Sequence, residues 1–154
     1  MAIYRQVYMT FWTDPKVVND FTPEDRYFYL YLITNSHTNI SGCYEISIKQ
    51  MAWETGYNED TVSRLLNRLT DLNVIRYSHQ TKELLLLNWH KYNWTKSPKL
   101  TKAVLAESKL IKDDTFQDYV NHMLYEIPYV YPMDTSVSVP VTDAVADADS
   151  VFGS

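Results

Sequence analysis

The sequence predicts a mainly α-helical chain with a small β-hairpin, an α+β fold, and three observations carry that expectation. Apolar residues recur at helical spacing behind good N-caps. Two short β-type runs flank a polar break. The composition is globular, with 45% hydrophobic and 21% charged residues in 154.

The first helix is expected from Pro23 to Asn35. Thr22 is placed to cap it, Pro23 suits the first helical position, and Glu24 and Asp25 complement the dipole in the first turn. Its interior, RYFYLYLI, is apolar nearly all round, which implies burial on more than one face. Ser41 and Gly42 then make a turn into a short extended piece. Ser47 caps a second helix, in which Ile48, Met51 and Ala52 share a face and Gly56 ends the run. Asn58 caps a third. There Val62, Leu65, Leu66 and Leu69 fall on one face, leaving Ser63, Arg64, Asn67, Arg68 and Asp71 outward.

LNVIRYSH and LLLLNW, separated by QTKE, read as two antiparallel strands of a hairpin. Helix, strand, helix, short turn, helix, hairpin is the order of a winged helix-turn-helix. Farther on, SPKLTKAVLAESKLIKDD contains helical stretches. DDTFQDYVNHMLYE reads as a helix capped by Asp113 or Asp114 and stopped by Pro128 and Pro132. The small, acidic, aperiodic residues 133–154 read as a disordered tail or linker. The expected organisation is therefore a winged-helix DNA-binding and oligomerisation domain over 1–98, a helical extension over 99–132, and the acidic tail over 133–154.

Leu84 to Leu87 are too many consecutive apolar residues for a strand with one wet face. Something must cover the outer face. The candidates are the N-terminal IYRQVYMTFW segment, of the same or a second chain, or the helix after Pro98.

The single cysteine, Cys43, permits no internal disulfide and suits a reducing interior. No signal-type or membrane-spanning apolar run occurs, so the expected location is the cytoplasm, that of the host cell if the chain is phage-encoded, with no membrane partner. The net charge of −5 hides a division along the chain: −4 over residues 1–60, +7 over 61–112 and −8 over 113–154. The middle block is built to sit near anions. His37, His79, His90 and His122 are scattered, with no carboxylate or thiol at metal-ligand spacing and no glycine-rich phosphate loop. A non-enzymatic protein without cofactor, metal or catalytic residue is expected.

Several stretches together resemble a known family: IYRQVYMTFWTDPKVVNDFTPEDRYFYLYLITN, GCYEIS, TGYNEDTVSRLL and NWHKYNW. Over residues 3–98 they are similar to the N-terminal domain of phage replisome-organiser proteins, relatives of the DnaD-like primosome family. The resemblance implies a winged helix tied to self-association and origin binding, in a protein of replication initiation. In that family a second, helical domain engages single-stranded DNA and the helicase-loading machinery; here one helix and an acidic tail follow instead.

Candidate DNA contacts are Asn58, Ser63, Arg64, Asn67 and Arg68 on the third helix, Lys82 at the hairpin tip, and Lys91, Lys96 and Lys99 beyond the second strand. A merely solvated helix face competes with this reading, because Glu59 and Asp60 at the leading turn repel phosphate. Tyr8, Phe11, Trp12, Tyr27, Tyr31, Trp89 and Trp94 are the candidate oligomer contacts, the tryptophans as core or subunit interface. The expected partners are an origin-like duplex and further copies of the chain, with single-stranded DNA and host helicase-loading proteins as additional candidates. A transcriptional repressor, or an interaction module that binds a replication protein without DNA, are the competing readings.

Overall fold

The computed structural model describes residues 3–126. The expected tail over 133–154 and the last residues of the helical extension lie outside them. A 3-10 turn, Met9–Thr13, leads into α1 (Pro15–Asp20), α2 (Pro23–Thr34), β1 (Cys43–Glu45), α3 (Ile48–Thr55) and α4 (Glu59–Asp71). β2 (Ile75–Ser78), β3 (Glu83–Leu86), α5 (Trp89–Asn93), α6 (Pro98–Ser108) and α7 (Asp114–Glu126) follow.

The caps fall where the side chains dictate. Thr22 and Asp25 exchange hydrogen bonds in a reciprocal capping box at the head of α2. Ser47 accepts from the Gln50 N–H, and Asn58 from the Thr61 N–H at 2.7 Å. Gly56 closes α3 in the left-handed region at φ 86°. Asp113, of the two aspartates available, caps α7 by accepting from the Thr115 and Phe116 N–H groups.

The sheet is more than a hairpin. β1 joins it on the other side of β3, giving the antiparallel order β1-β3-β2 with Cys43 opposite Leu85 and Ile75 opposite Leu86. β3 is central, and the period of two sends its side chains to two separate cores. Leu84 and Leu86 join Phe28, Leu32, Met51, Val62, Leu65, Leu66 and Leu69 from α2, α3 and α4. Leu85 and Leu87 join Cys43 and, from the C-terminal helices and the loop between them, Val104, Ile111, Phe116, Val120 and Leu124.

The four leucines are therefore covered on both faces by one chain, and the helices after Pro98 provide the outer cover. The alternative, in which the N-terminal segment lies over the leucine strand, is corrected. That segment instead packs beside α2 and α5, with Phe11 against Tyr29 and Tyr8 edge-on to Tyr92 at 5.1 Å. The strand is also shorter than LLLLNW, because Asn88 turns left-handed at φ 64° and Trp89 opens α5.

A carboxylate fastens the C-terminal helices to the sheet. Glu83 is buried in β3 and accepts from the backbone N–H groups of Lys112 and Asp113, each at 2.8 Å, and from the Thr81 hydroxyl. Lys112 pairs in turn with Glu45 on the neighbouring strand. The loop between α6 and α7 is thus held by hydrogen bonds as well as by the apolar contacts of the second core.

Candidate nucleic-acid interface

α4 is the element whose outer face the sequence nominates, and its inner face explains how that outer face is held. Val62, Leu65, Leu66 and Leu69 are all buried, so the helix cannot rotate without exposing four side chains. Full burial of each contributes roughly 1.5–3 kcal/mol. Its last turn is tied down from α1, where Lys16 Nζ donates to the Leu72 carbonyl at 2.7 Å. A three-residue turn, Gly56 to Asn58, joins it to α3. The outer strip then carries Arg64 and Asn67, both exposed, with Ser63 partly covered beside them. No ion pair involves Arg64 among the described residues.

Arg68 departs from the picture of a wholly outward residue. Its Nε lies 3.0 and 3.1 Å from the two Asp25 oxygens, and Nη2 donates to Asp25 Oδ2 at 2.6 Å. The cause is the capping box one layer below. Asp25 is 0% exposed, and a carboxylate removed from water needs a charged, hydrogen-bonded partner. Burial pushes the Asp25 pKa up, but the Arg68 and Thr22 hydrogen bonds outweigh it and hold the group below the ordinary carboxylate range. Arg68 therefore clamps α2 to α4, while 38% of its side-chain surface stays open.

The remaining candidates do not gather on one surface. Asn58 is exposed, but its side-chain oxygen is the α4 cap. Lys82 is exposed at the hairpin tip with φ 58°, its carbonyl accepting from Ile46. Lys91, Lys96 and Lys99 are exposed on α5, the following loop and α6, all beyond the opposite end of β3. Lys82 and the three later lysines thus stand at opposite ends of a four-residue strand, a rise of about 13 Å.

Among the candidate oligomer contacts, Trp89 takes the core alternative of the two open to the tryptophans. It is buried, and both it and Trp94 donate their indole N–H to the Ile40 carbonyl, at 3.1 and 2.6 Å. Gly42 makes room for the Trp89 ring, since a Cβ there would sit 2.6 Å from Trp89 Cγ. Arg5 lies over the same ring at 5.6 Å. Tyr31 is half-buried and donates to Glu54, which His37 and Gln50 also contact. Tyr8, Trp12 and Tyr27 are exposed, and Phe11 is partly buried on the first core.

Two features escaped the sequence reading. Trp53 is 83% exposed on α3. Its position was legible, because it falls off the face shared by Ile48, Met51 and Ala52. In the sequence Asp25 shows only as a first-turn acid of α2, and nothing local signals that it meets a residue 43 positions away. The described residues hold no cluster of three potential metal ligands. Burial pushes the Cys43 thiol up, away from the thiolate form a nucleophile needs. No helix among the described residues is long and apolar enough to cross a membrane. Comparison with protein-family models, with curated proteins and with solved structures gives no match.

Proposed function

We propose that this chain is a winged-helix DNA-binding protein that acts in replication initiation, binding an origin-like duplex through α4 and associating with further copies of itself. The observation that carries the reading is the α4 strip. Arg64 and Asn67 project from a helix fixed on its other face by four buried residues, and they supply the donor types that meet guanine, adenine and phosphate. The order of elements and the β1-β3-β2 sheet support it, because they put a hairpin directly after the outer helix. Self-association draws on the exposed Ile3, Tyr4, Tyr8, Met9 and Trp12 of the N-terminal stretch before α1, and on Tyr27 of α2.

One observation favours a second reading, an interaction module that binds a replication protein and no DNA. Trp53 stands exposed on α3, and Glu59 and Asp60 occupy the first turn of α4. The two are separated by titrating the full chain onto a candidate origin fragment, an unrelated duplex and a single-stranded oligonucleotide, each at two salt concentrations, with light scattering on the free protein. Duplex binding that weakens with salt and prefers the origin fragment supports the proposal. A folded chain that retards none of the three at low salt refutes it in favour of the interaction module.

A further inference from the structure

The face of α6 turned away from the core carries positive charge of its own, separate from the α4 strip. Leu100 and Val104 pack into the second core, Ser108 is buried, and the Gln117 side chain donates to the Ser108 carbonyl at 2.8 Å. Those three positions recur every four residues, so the helix is locked in rotation. Its outward arc is then Lys99, Lys102, Ala103, Ala106 and, at the C-cap, Lys109, all exposed. The three lysines are spread along about 15 Å of helix axis. A face that is only solvated usually mixes charge signs, and a glutamate four residues from a lysine steadies a helix. Here no acid stands three or four residues from Lys99 or Lys102, and none of the three lysines makes an ion pair among the described residues. Glu107, the one acid of α6, is partly buried, and the exposed acids Asp114 and Asp118 lie on α7.

We propose that α6 is a second nucleic-acid face, which holds the phosphate backbone of a second duplex segment by charge. Charge complementarity is the first argument. Three like charges on one arc repel one another without local compensation, and a polyanion laid along them relieves that repulsion and releases its own counterions. Ala103 and Ala106 between the lysines leave the backbone free to come close. What the arc lacks narrows the occupant. α6 has no aromatic residue, so it offers neither the stacking platform that single strands use nor the aromatic anchors of a protein interface. Leu100 and Val104 are turned into the second core, and only Leu105 and Leu110 are exposed at its margins, so it has no broad apolar face to sink into a bilayer.

Placement is the second argument. Leu84 and Leu86 face the core that carries α4, whereas Leu85 and Leu87 face the core that carries α6. The sheet and both cores therefore stand between the α4 strip and the lysines of α6. A duplex seated on α4 leaves α6 open to another segment, and one chain then bridges the two. The bridging rests on the α4 reading; the α6 contact does not.

The test loads the full-length chain sparsely on a surface-tethered duplex and measures capture of a second, labelled duplex. The native chain should capture it, and less as salt rises. Lys99→Ala/Lys102→Ala/Lys109→Ala should load on the tethered duplex yet capture at least about tenfold less, because three phosphate contacts are gone. Lys99→Arg/Lys102→Arg/Lys109→Arg keeps the charge and should capture as the native chain does, which separates charge from a folding defect. Capture that survives the alanine variant would overturn the proposal and assign bridging to associated copies. So would a loaded native chain that captures nothing, capture of a single strand in preference to the duplex, or lysine-dependent binding to phosphatidylserine vesicles without lysine-dependent capture of duplex. Arg64→Ala/Asn67→Ala separates the two readings: if it loads and captures like the native chain, the α4 reading fails, while lysine-dependent capture leaves the α6 contact standing.

Discussion

Arg64 and Arg68 lie one turn apart on α4, and the structure predicts that their removal has opposite consequences. Arg64 is exposed and makes no ion pair among the described residues, so Arg64→Ala should leave the thermal midpoint within about 2 °C of the parent. Its effect should appear in DNA binding. One lost phosphate contact flattens the slope of log K against log salt by about 0.9. Between 50 and 200 mM salt that amounts to a difference of roughly 3.5-fold in how much affinity the two proteins lose. Arg68→Ala instead strands the buried Asp25 carboxylate under the head of α2. The thermal midpoint should fall by upwards of roughly 5 °C, and binding should weaken largely through the loss of folded protein. Thermal melts paired with fluorescence anisotropy at four salt concentrations measure both quantities. An Arg64→Ala protein with unchanged affinity and slope would remove α4 from the interface. An Arg68→Ala protein as stable as the parent would refute the clamp.

Three further outcomes follow from the same geometry. Gly42→Ala and Gly56→Ala both force a side chain into positive φ, but only at Gly42 does the new Cβ run into Trp89; urea titration should show Gly56→Ala costing about 1 kcal/mol and Gly42→Ala at least about 2 kcal/mol more. Equal costs would refute the close approach. Glu83→Ala orphans two backbone N–H groups, which should cost about 2–4 kcal/mol and speed hydrogen exchange at Lys112 and Asp113, whereas unchanged exchange would mean the α6–α7 loop is held without it. His90 is held down to about 4 by burial and then by Lys91, so the unfolded chain takes up its proton first; stability present above the unfolded value near 6.5 is lost as pH falls toward 4, and His90→Gln should flatten the stability curve across that window.

How far the sequence could be read depends on the distance over which each interaction acts. Caps and amphipathic faces are local, so Thr22, Ser47, Asn58 and Gly56 mark the ends of α2, α3 and α4 without any knowledge of the fold. The run Leu84 to Leu87 announced a strand buried on both faces, and parity alone divides it between two cores. What covers the outer face was not local. The second core draws on α6 and α7, and the anchor that orders them is a glutamate, a residue type that pattern reading assigns to the surface.

The candidate interface shows the same division more sharply. Helical phase puts Arg64 and Arg68 on one outward strip, and phase cannot distinguish them. The distinction comes from Asp25, whose burial follows from its own role at the head of α2. A carboxylate that caps one helix while buried must be neutralised by another, and the nearest guanidinium is taken from the strip that reads as a DNA contact. The cost of packing α2 against α4 is thus set against the charge available at the surface. The basic middle block of the chain overstates the charge α4 can offer by the share of Arg68 committed to this pair, and the outer helix face rests chiefly on Arg64 and Asn67.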